Sequence, residues 1–317
     1  MRCEKAECVP EVGCDIGHPD LAEFTHFKEA KPADDSVDAL TSGDTIRMPW
    51  TGRTMGERDI AYIAAATYPT IVSLIGPHDA GKTTLLAALF LAICEGMEPA
   101  SEAVFAGSCS FAGWQDVSAR MRIDADGAAQ FPLHTPDSAS RIPGLLHLCY
   151  RQSSKAIEIL LTDAPGEWFT RWATERFSTG AQGAEWIAKN ARRHLVIADS
   201  EALSGQDSGL AREQFERIVG RLADIQNQNV ALVWTKSDVS VPASMKEHIE
   251  RSYKRRFADT PVFHTRLPLD GEELKSGDPC SLRAILDWML APEVRTKLRP
   301  AKRRVTEDPF LSIGAGW

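Results

Sequence analysis

Between the apolar run TIVSLI and the helix-forming run LLAALFLAI lie the nine residues GPHDAGKTT, Gly76 to Thr84. Two glycines, a lysine and paired threonines fit the spacing G-x-x-x-x-G-K-[ST] at Gly76, Gly81, Lys82 and Thr83. A loop built from Gly76, Pro77, His78, Asp79, Ala80 and Gly81 can wrap phosphate oxygens with main-chain N–H groups. The helix N-terminus at Lys82, Thr83 and Thr84 adds its own unsatisfied donors. Gly81 lets the backbone approach a ligand closely, Lys82 reaches terminal phosphates, and the Thr83 hydroxyl suits Mg²⁺. The plainer reading is an ordinary strand-to-helix turn that contains a lysine.

Two further segments decide between these readings. In LLTDAPGEW, Asp163 ends a strongly apolar run, where a carboxylate can hold Mg²⁺ opposite Thr83. Gly166 follows as D-x-x-G, the spacing at which a main-chain N–H senses a γ-phosphate in nucleotide switches. In VALVWTKSD, Thr235, Lys236 and Asp238 fit [NT]-K-x-D after another apolar run. The Asp238 carboxylate can accept from guanine N1–H and the 2-amino group, while the Lys236 stem lies over the base. Adenine lacks that pair of donors and would leave the charge unpaired. Glu167 occupies the position after D-x-x-G. A carboxylate there repels a γ-phosphate unless it is paired, protonated or turned away. It either orients the attacking water as a base or points off the site and leaves hydrolysis slow.

A second constellation stands at the start of the chain. Cys3, Cys8 and Cys14 are followed by His18 and His26 in a segment with too few apolar groups for a core. Three thiols and one of the two histidines suit a structural Zn²⁺, whose binding energy would fold the segment. Free thiols in a disordered leader are the alternative. The other cysteines, Cys94, Cys109, Cys149 and Cys280, are scattered and read as buried thiols of a reducing compartment.

The elements that must position these groups follow from periodicity. Short apolar runs at 70–75, 144–151, 156–163, 194–199, 229–235 and 261–266 read as buried strands. Amphipathic or apolar patterns at 82–95, 182–193, 208–226, 243–257 and 280–290 read as helices. Their alternation predicts an α/β fold with helices on both faces of the sheet. The turn RQSSK makes its two strands an antiparallel hairpin, so the sheet is mostly parallel with one antiparallel strand. The segment between the first helix and that hairpin is too long for a simple loop and predicts an inserted strand or two. The aromatic stretch WFTRWATERF reads either as a core-facing helix or as a partner surface ordered by nucleotide. Four zones result: a Cys/His-rich segment 1–27, an acidic linker 28–48, the nucleotide-binding body 49–292, and a basic tail 293–317.

With 317 residues, 43% hydrophobic and 25% charged, the chain is long enough for one large domain with additions and has a globular composition. A net charge of −8 argues against a body-wide nucleic-acid surface; only the tail, with six basic residues from Arg295 to Arg304, offers basic charge to such a partner. The longest apolar run, LLAALFLAIC, is too short to cross a bilayer, and the N-terminus has no signal-peptide core, so a cytoplasmic location without membrane attachment is expected.

The order GPHDAGKTT, DAPGE, TKSD resembles the translation-factor-related class of P-loop GTPases. More narrowly, the chain resembles the double-GTPase domains of bacterial conflict and anti-phage gene clusters over about residues 1–290. The segments that carry the narrower likeness are MPWTGRTMGERDIAYIAAATYPTIVSLIGPHDAGKTTLL, HTPDSASRIPGLLHL and LTDAPGEWF. The resemblance implies a switch threonine at Thr135, sensing γ-phosphate and Mg²⁺, with Arg141 as an in-cis charge stabiliser or an ordinary loop arginine. It also implies partner proteins encoded nearby and a guanine loop in HTRLPLDG, where the small pair common to such loops is missing. The expected activity is a Mg²⁺-dependent switch that binds GTP and GDP and hydrolyses GTP in a multi-component defence assembly. The alternative is a GTP-binding scaffold with little hydrolysis that recruits partners through its zinc segment and tail. An ATP-using enzyme is a third option, against which TKSD speaks.

Overall fold

A computed structural model describes residues 54–65, 67–119, 121, 144–225, 229–266 and 281–292, all within the unit Met48–Trp317. Seven strands form one sheet: β1 (Thr70–Ile75), β2 (Val104–Gly107), β3 (Gly144–Gln152), β4 (Lys155–Asp163), β5 (Arg193–Asp199), β6 (Val230–Thr235) and β7 (Val262–His264). Their order is β2-β3-β4-β1-β5-β6-β7. β4, β1, β5, β6 and β7 pair in parallel, while β3 runs antiparallel to both its neighbours. The hairpin expected around RQSSK is therefore present, closed at Gln152↔Lys155 with Ser153 at φ 55°. β1, β5 and β6 are almost wholly buried, which is why they read as continuous apolar runs rather than alternating ones.

Helices α2 (Lys82–Cys94), α3 (Phe111–Ser118) and α9 (Leu282–Leu290) cover one face. α2 is apolar on every side because sheet, α3 and α9 enclose it. The opposite face carries α4 (Gly166–Thr174), α5 (Gln182–Asn190), α7 (Ser208–Ala223) and α8 (Ala243–Lys254). A short α1 (Ile60–Ala64) closes the sheet end with Met55, Ile71, Leu145 and Leu160, and α6 (Ser200–Ser204) follows β5 directly.

One sequence expectation is met with an addition, and two need correction. The inserted segment supplies one strand, β2, and then a helix, α3, whose Trp114 stacks on Phe90 at 4.9 Å. The helix expected over 182–193 ends at Asn190, because Ala191 is extended and Arg193 already begins β5. That arginine is buried and donates to the carbonyls of Trp288 and Ala291, capping the C-terminal end of α9. The scattered cysteines are not uniformly buried: Cys94 is exposed and Cys109 and Cys149 are half-buried. Cys94 faces outward because it ends α2, beyond the turn that the sheet covers.

The stretch WFTRWATERF forms most of α4, and its Trp168, Phe169 and Trp172 are buried. Truncating any one of them to alanine would cost about 3–5 kcal/mol. The far end of α4 is tied to α5: Trp172 Nε1 donates to Glu185 Oε2 at 2.7 Å, and Arg176 reaches the same carboxylate. Partial burial raises the pKa of Glu185, but hydrogen bonds from Arg176, Lys189 and Trp172 outweigh it and hold the carboxyl down at about 2.

Candidate functional site at the C-terminal ends of the parallel strands

Asp163, Asp199 and Thr235 are the last residues of β4, β5 and β6, and Gly76 directly follows β1. Parallel strands place these ends on one edge of the sheet. The chain leaves β1 toward β4 on one side and later returns to β5 on the other. Ligands of open α/β sheets bind at such a reversal.

The loop from Gly76 to Gly81 is sterically defined. A Cβ on Gly76 would lie 2.9 Å from Ile197 Cβ, so only glycine lets β5 pack there. Asp79 at φ 58° and Gly81 at φ 78° take left-handed conformations that turn the chain into α2. Lys82 is 7% exposed, and its ammonium folds back to donate to Pro77 O at 2.7 Å and Gly76 O at 3.2 Å. Burial lowers its pKa to about 8, against the opposing pull of Asp163, Glu167 and Asp79. The charge is thus held by two neutral carbonyls, contacts a phosphate would improve upon. Thr84 sits half-buried in the first turn of α2.

Thr83 Oγ1 donates to Asp163 Oδ1 at 3.1 Å, joining the start of α2 to the end of β4. A hydroxyl and a carboxylate converging from two elements form a hard-oxygen pair that fits Mg²⁺. Beyond Asp163, α4 begins at Gly166, pressed against the phosphate loop. A Cβ there would stand 2.3 Å from both His78 N and Pro77 C. The next residue, Glu167, places Oε1 2.7 Å from His78 Nδ1.

The TKSD segment after β6 is tied to the loop between β1 and α2. Thr235 Oγ1 donates to Ala80 O at 2.9 Å. Lys236, at φ 51°, reaches Asp79 O at 3.2 Å, Asp199 Oδ2 at 3.0 Å and Glu201 Oε2 at 2.8 Å. Burial works against its charge, but the bonds to Glu201 and Asp199 outweigh that and raise its pKa. Asp199 also caps α6, its Oδ1 accepting from Glu201 N at 2.9 Å and Ala202 N at 3.3 Å. Asp238 is exposed at the mouth of this loop. Ser237 N donates to Thr265 O at 3.0 Å, joining the loop to the segment in which the second guanine loop was expected.

Sequence reasoning missed Asp199 and Glu201. A carboxylate at the end of the buried run HLVIAD was the available signal, the same one that singled out Asp163. Thr135, Arg141, the five leader residues Cys3, Cys8, Cys14, His18 and His26, the linker, and the tail lie outside the described residues, as does the guanine loop beyond Arg266. Among the described residues no cluster of three or more His, Cys, Asp or Glu side chains could hold a metal, and no helix is long and apolar enough to cross a membrane.

The sequence profile of the Double-GTPase 2 family matches residues 70–288, more than half of the chain. The chain belongs to that family. The matched stretch of this double-GTPase domain runs from the first residue of β1 nearly to the end of α9 and takes in every strand of the sheet. No curated protein matches the chain. Among solved structures it is similar to Methanosarcina barkeri Roco2 RocCORdC bound to GDP, at 14% identity and a TM-score of 0.37. That alignment covers 70% of this chain and 49% of the other, so the chain spans about half the length of that protein.

Proposed function

We propose that this double-GTPase domain is a Mg²⁺-dependent switch that binds GTP and GDP and hydrolyses GTP. The observation that carries the reading is the direct bolting of Thr235 and Lys236 onto the phosphate loop through Ala80 O and Asp79 O. A base reader fixed to the phosphate cradle measures one ligand, not two.

In this reading Lys82 leaves its carbonyl partners for the terminal phosphates. Thr83 and Asp163 hold Mg²⁺, which when bound neutralises phosphate charge. Gly166 senses the γ-phosphate from the start of α4, and Asp238 accepts from guanine. The family likeness supports membership in a bacterial conflict or defence assembly with partner proteins encoded nearby, and a cytoplasmic setting. Thr135 is the candidate switch threonine. Metal analysis tests the leader separately: about one zinc per chain is expected, lost on Cys8→Ser.

Calorimetry with GTP, GDP, ATP and xanthosine triphosphate tests the core reading. GTP and GDP should bind at least about a hundredfold tighter than ATP; equal affinity for ATP would remove the guanine assignment. A Glu167 turned off the site would give the second reading, a GTP-binding scaffold with slow turnover. GTP binding with no phosphate release, alone or with neighbouring gene products, would select it.

A further inference from the structure

Glu167 stands at the start of α4, beside the loop between β1 and α2. A carboxylate beside the γ-phosphate position weakens triphosphate binding through like-charge repulsion. The structure supplies a counterpart from the phosphate loop itself. His78 Nδ1 lies 2.7 Å from Glu167 Oε1, a distance at which the ring N–H donates to the carboxylate. The main chains that carry the two side chains lie against each other. Gly166 packs so closely on Pro77 and His78 that a Cβ would overlap their main chain. The start of α4 and the third residue of the loop are therefore fixed relative to one another.

The two oxygens of Glu167 then differ. Oε1 is engaged by His78, whereas Oε2 is buried and has no hydrogen-bond partner among the described residues. A buried carboxylate oxygen left as a bare acceptor is costly unless a ligand or water uses it. Gly166, the residue before it, lies against Pro77, whose carbonyl accepts from Lys82, so Glu167 follows the lysine end of the loop directly.

We infer that His78 is the positioning residue of the hydrolytic step: it holds Glu167 by Oε1 so that Oε2 orients the attacking water. This rests on the GTPase reading above. In the step, the water oxygen forms a bond to the γ-phosphorus and the bond to the β–γ bridging oxygen breaks. The electron pair of that bond leaves on the β-phosphate of GDP. The proton shed by the water passes to Oε2 and from there to the released phosphate. No oxidant or further reactant is needed. His78 fixes the carboxylate through Oε1 and never touches the reacting atoms.

The test is single-turnover GTP hydrolysis by the full-length chain with Mg²⁺, comparing wild type with His78→Ala, His78→Asn, Glu167→Gln and the His78→Ala/Glu167→Gln double variant. His78→Ala should lower the hydrolytic rate constant about a hundredfold, with the KM for GTP changed less than about threefold. His78→Asn keeps an N–H donor near the Nδ1 position and should retain the rate within about fivefold, which a loss of folding or of loop shape would not predict. The double variant should be no slower than the worse single variant, because the two residues act as one unit. Multiplicative losses in the double variant, or His78→Asn falling as far as His78→Ala, would overturn the inference. So would wild-type protein that binds GTP without turning it over, though nucleotide binding would then stand. Wild-type protein that binds no guanine nucleotide would overturn the GTPase reading itself.

Discussion

The loop after β1 and the loop after β6 both follow buried parallel strands, yet they are built in opposite ways. The first, between β1 and α2, is defined by backbone: glycines at 76 and 81, a left-handed Asp79, and a lysine bonded to main-chain carbonyls. The second, after β6, is defined by side chains: Thr235, Lys236 and an exposed Asp238. Backbone donors grip a phosphate whatever base it carries, because they meet only oxygens common to all nucleotides. A single carboxylate can tell guanine from adenine and contributes little to the grip. The contrast teaches that affinity and selectivity should be separable by mutation.

The largest effect should come from Lys82→Ala. Losing the buried Lys82 ammonium should weaken GTP, GDP and ATP alike by about a thousandfold, on the order of 4 kcal/mol. Calorimetry reads this directly, and a loss confined to GTP would break the division of labour. Next comes Asp238→Asn, which should cost GTP about a hundredfold while xanthosine triphosphate gains affinity, because the amide can donate where the carboxylate could only accept. Unchanged selectivity would remove Asp238 from the base site.

Between those two ends lies a control. His194 is fully buried, 2.7 Å from Ser73 Oγ on β1, and stands near the start of β5, the end of the strand opposite Asp199. Burial lowers its pKa from 6.5 to about 4. The unfolded chain therefore takes up a proton as pH falls through 6.5, while the folded chain stays neutral until about 4. Stability contributed by neutral His194 is present above pH 6.5 and is lost across that window, by roughly 3 kcal/mol. Urea unfolding at several pH values should show this slope in the wild type and a flatter one in His194→Gln, with nucleotide selectivity unchanged.

The smallest effect sharpens the comparison most. Thr235→Val keeps shape but deletes the donor to Ala80 O, one of the bonds between the two loops. It should cost about 1 kcal/mol, near fivefold in affinity, for every nucleotide equally. A change in the GTP-to-ATP ratio would mean that Thr235 takes part in reading the base.

The core strands were legible because burial on both faces leaves a continuous apolar run, a pattern that needs no knowledge of neighbours. β1 was read to the residue, and β3, β4, β5 and β6 to within one or two. α4 was harder, since WFTRWATERF mixes arginines with tryptophans and only packing against α5 and α7 decides which side faces inward. β2 alternates between exposed and half-buried residues at the sheet edge, so it carries little apolar signal. The exposed Cys94 shows the limit of composition: thiols are often buried, but this one ends a helix.

What the sequence determined by itself is the set of local motifs: a glycine-lysine loop, a D-x-x-G and a T-K-x-D, each at the end of an apolar run. Their spacing is fixed by covalent geometry and survives in any reading of the chain. What only the tertiary structure decided is who answers whose charge. Lys236 meets Asp199 and Glu201, some 35 residues away, and Glu167 meets His78 across the start of α4. Those pairings come from the order in which parallel strands lie side by side, and strand order arises from packing between distant segments rather than from any local pattern.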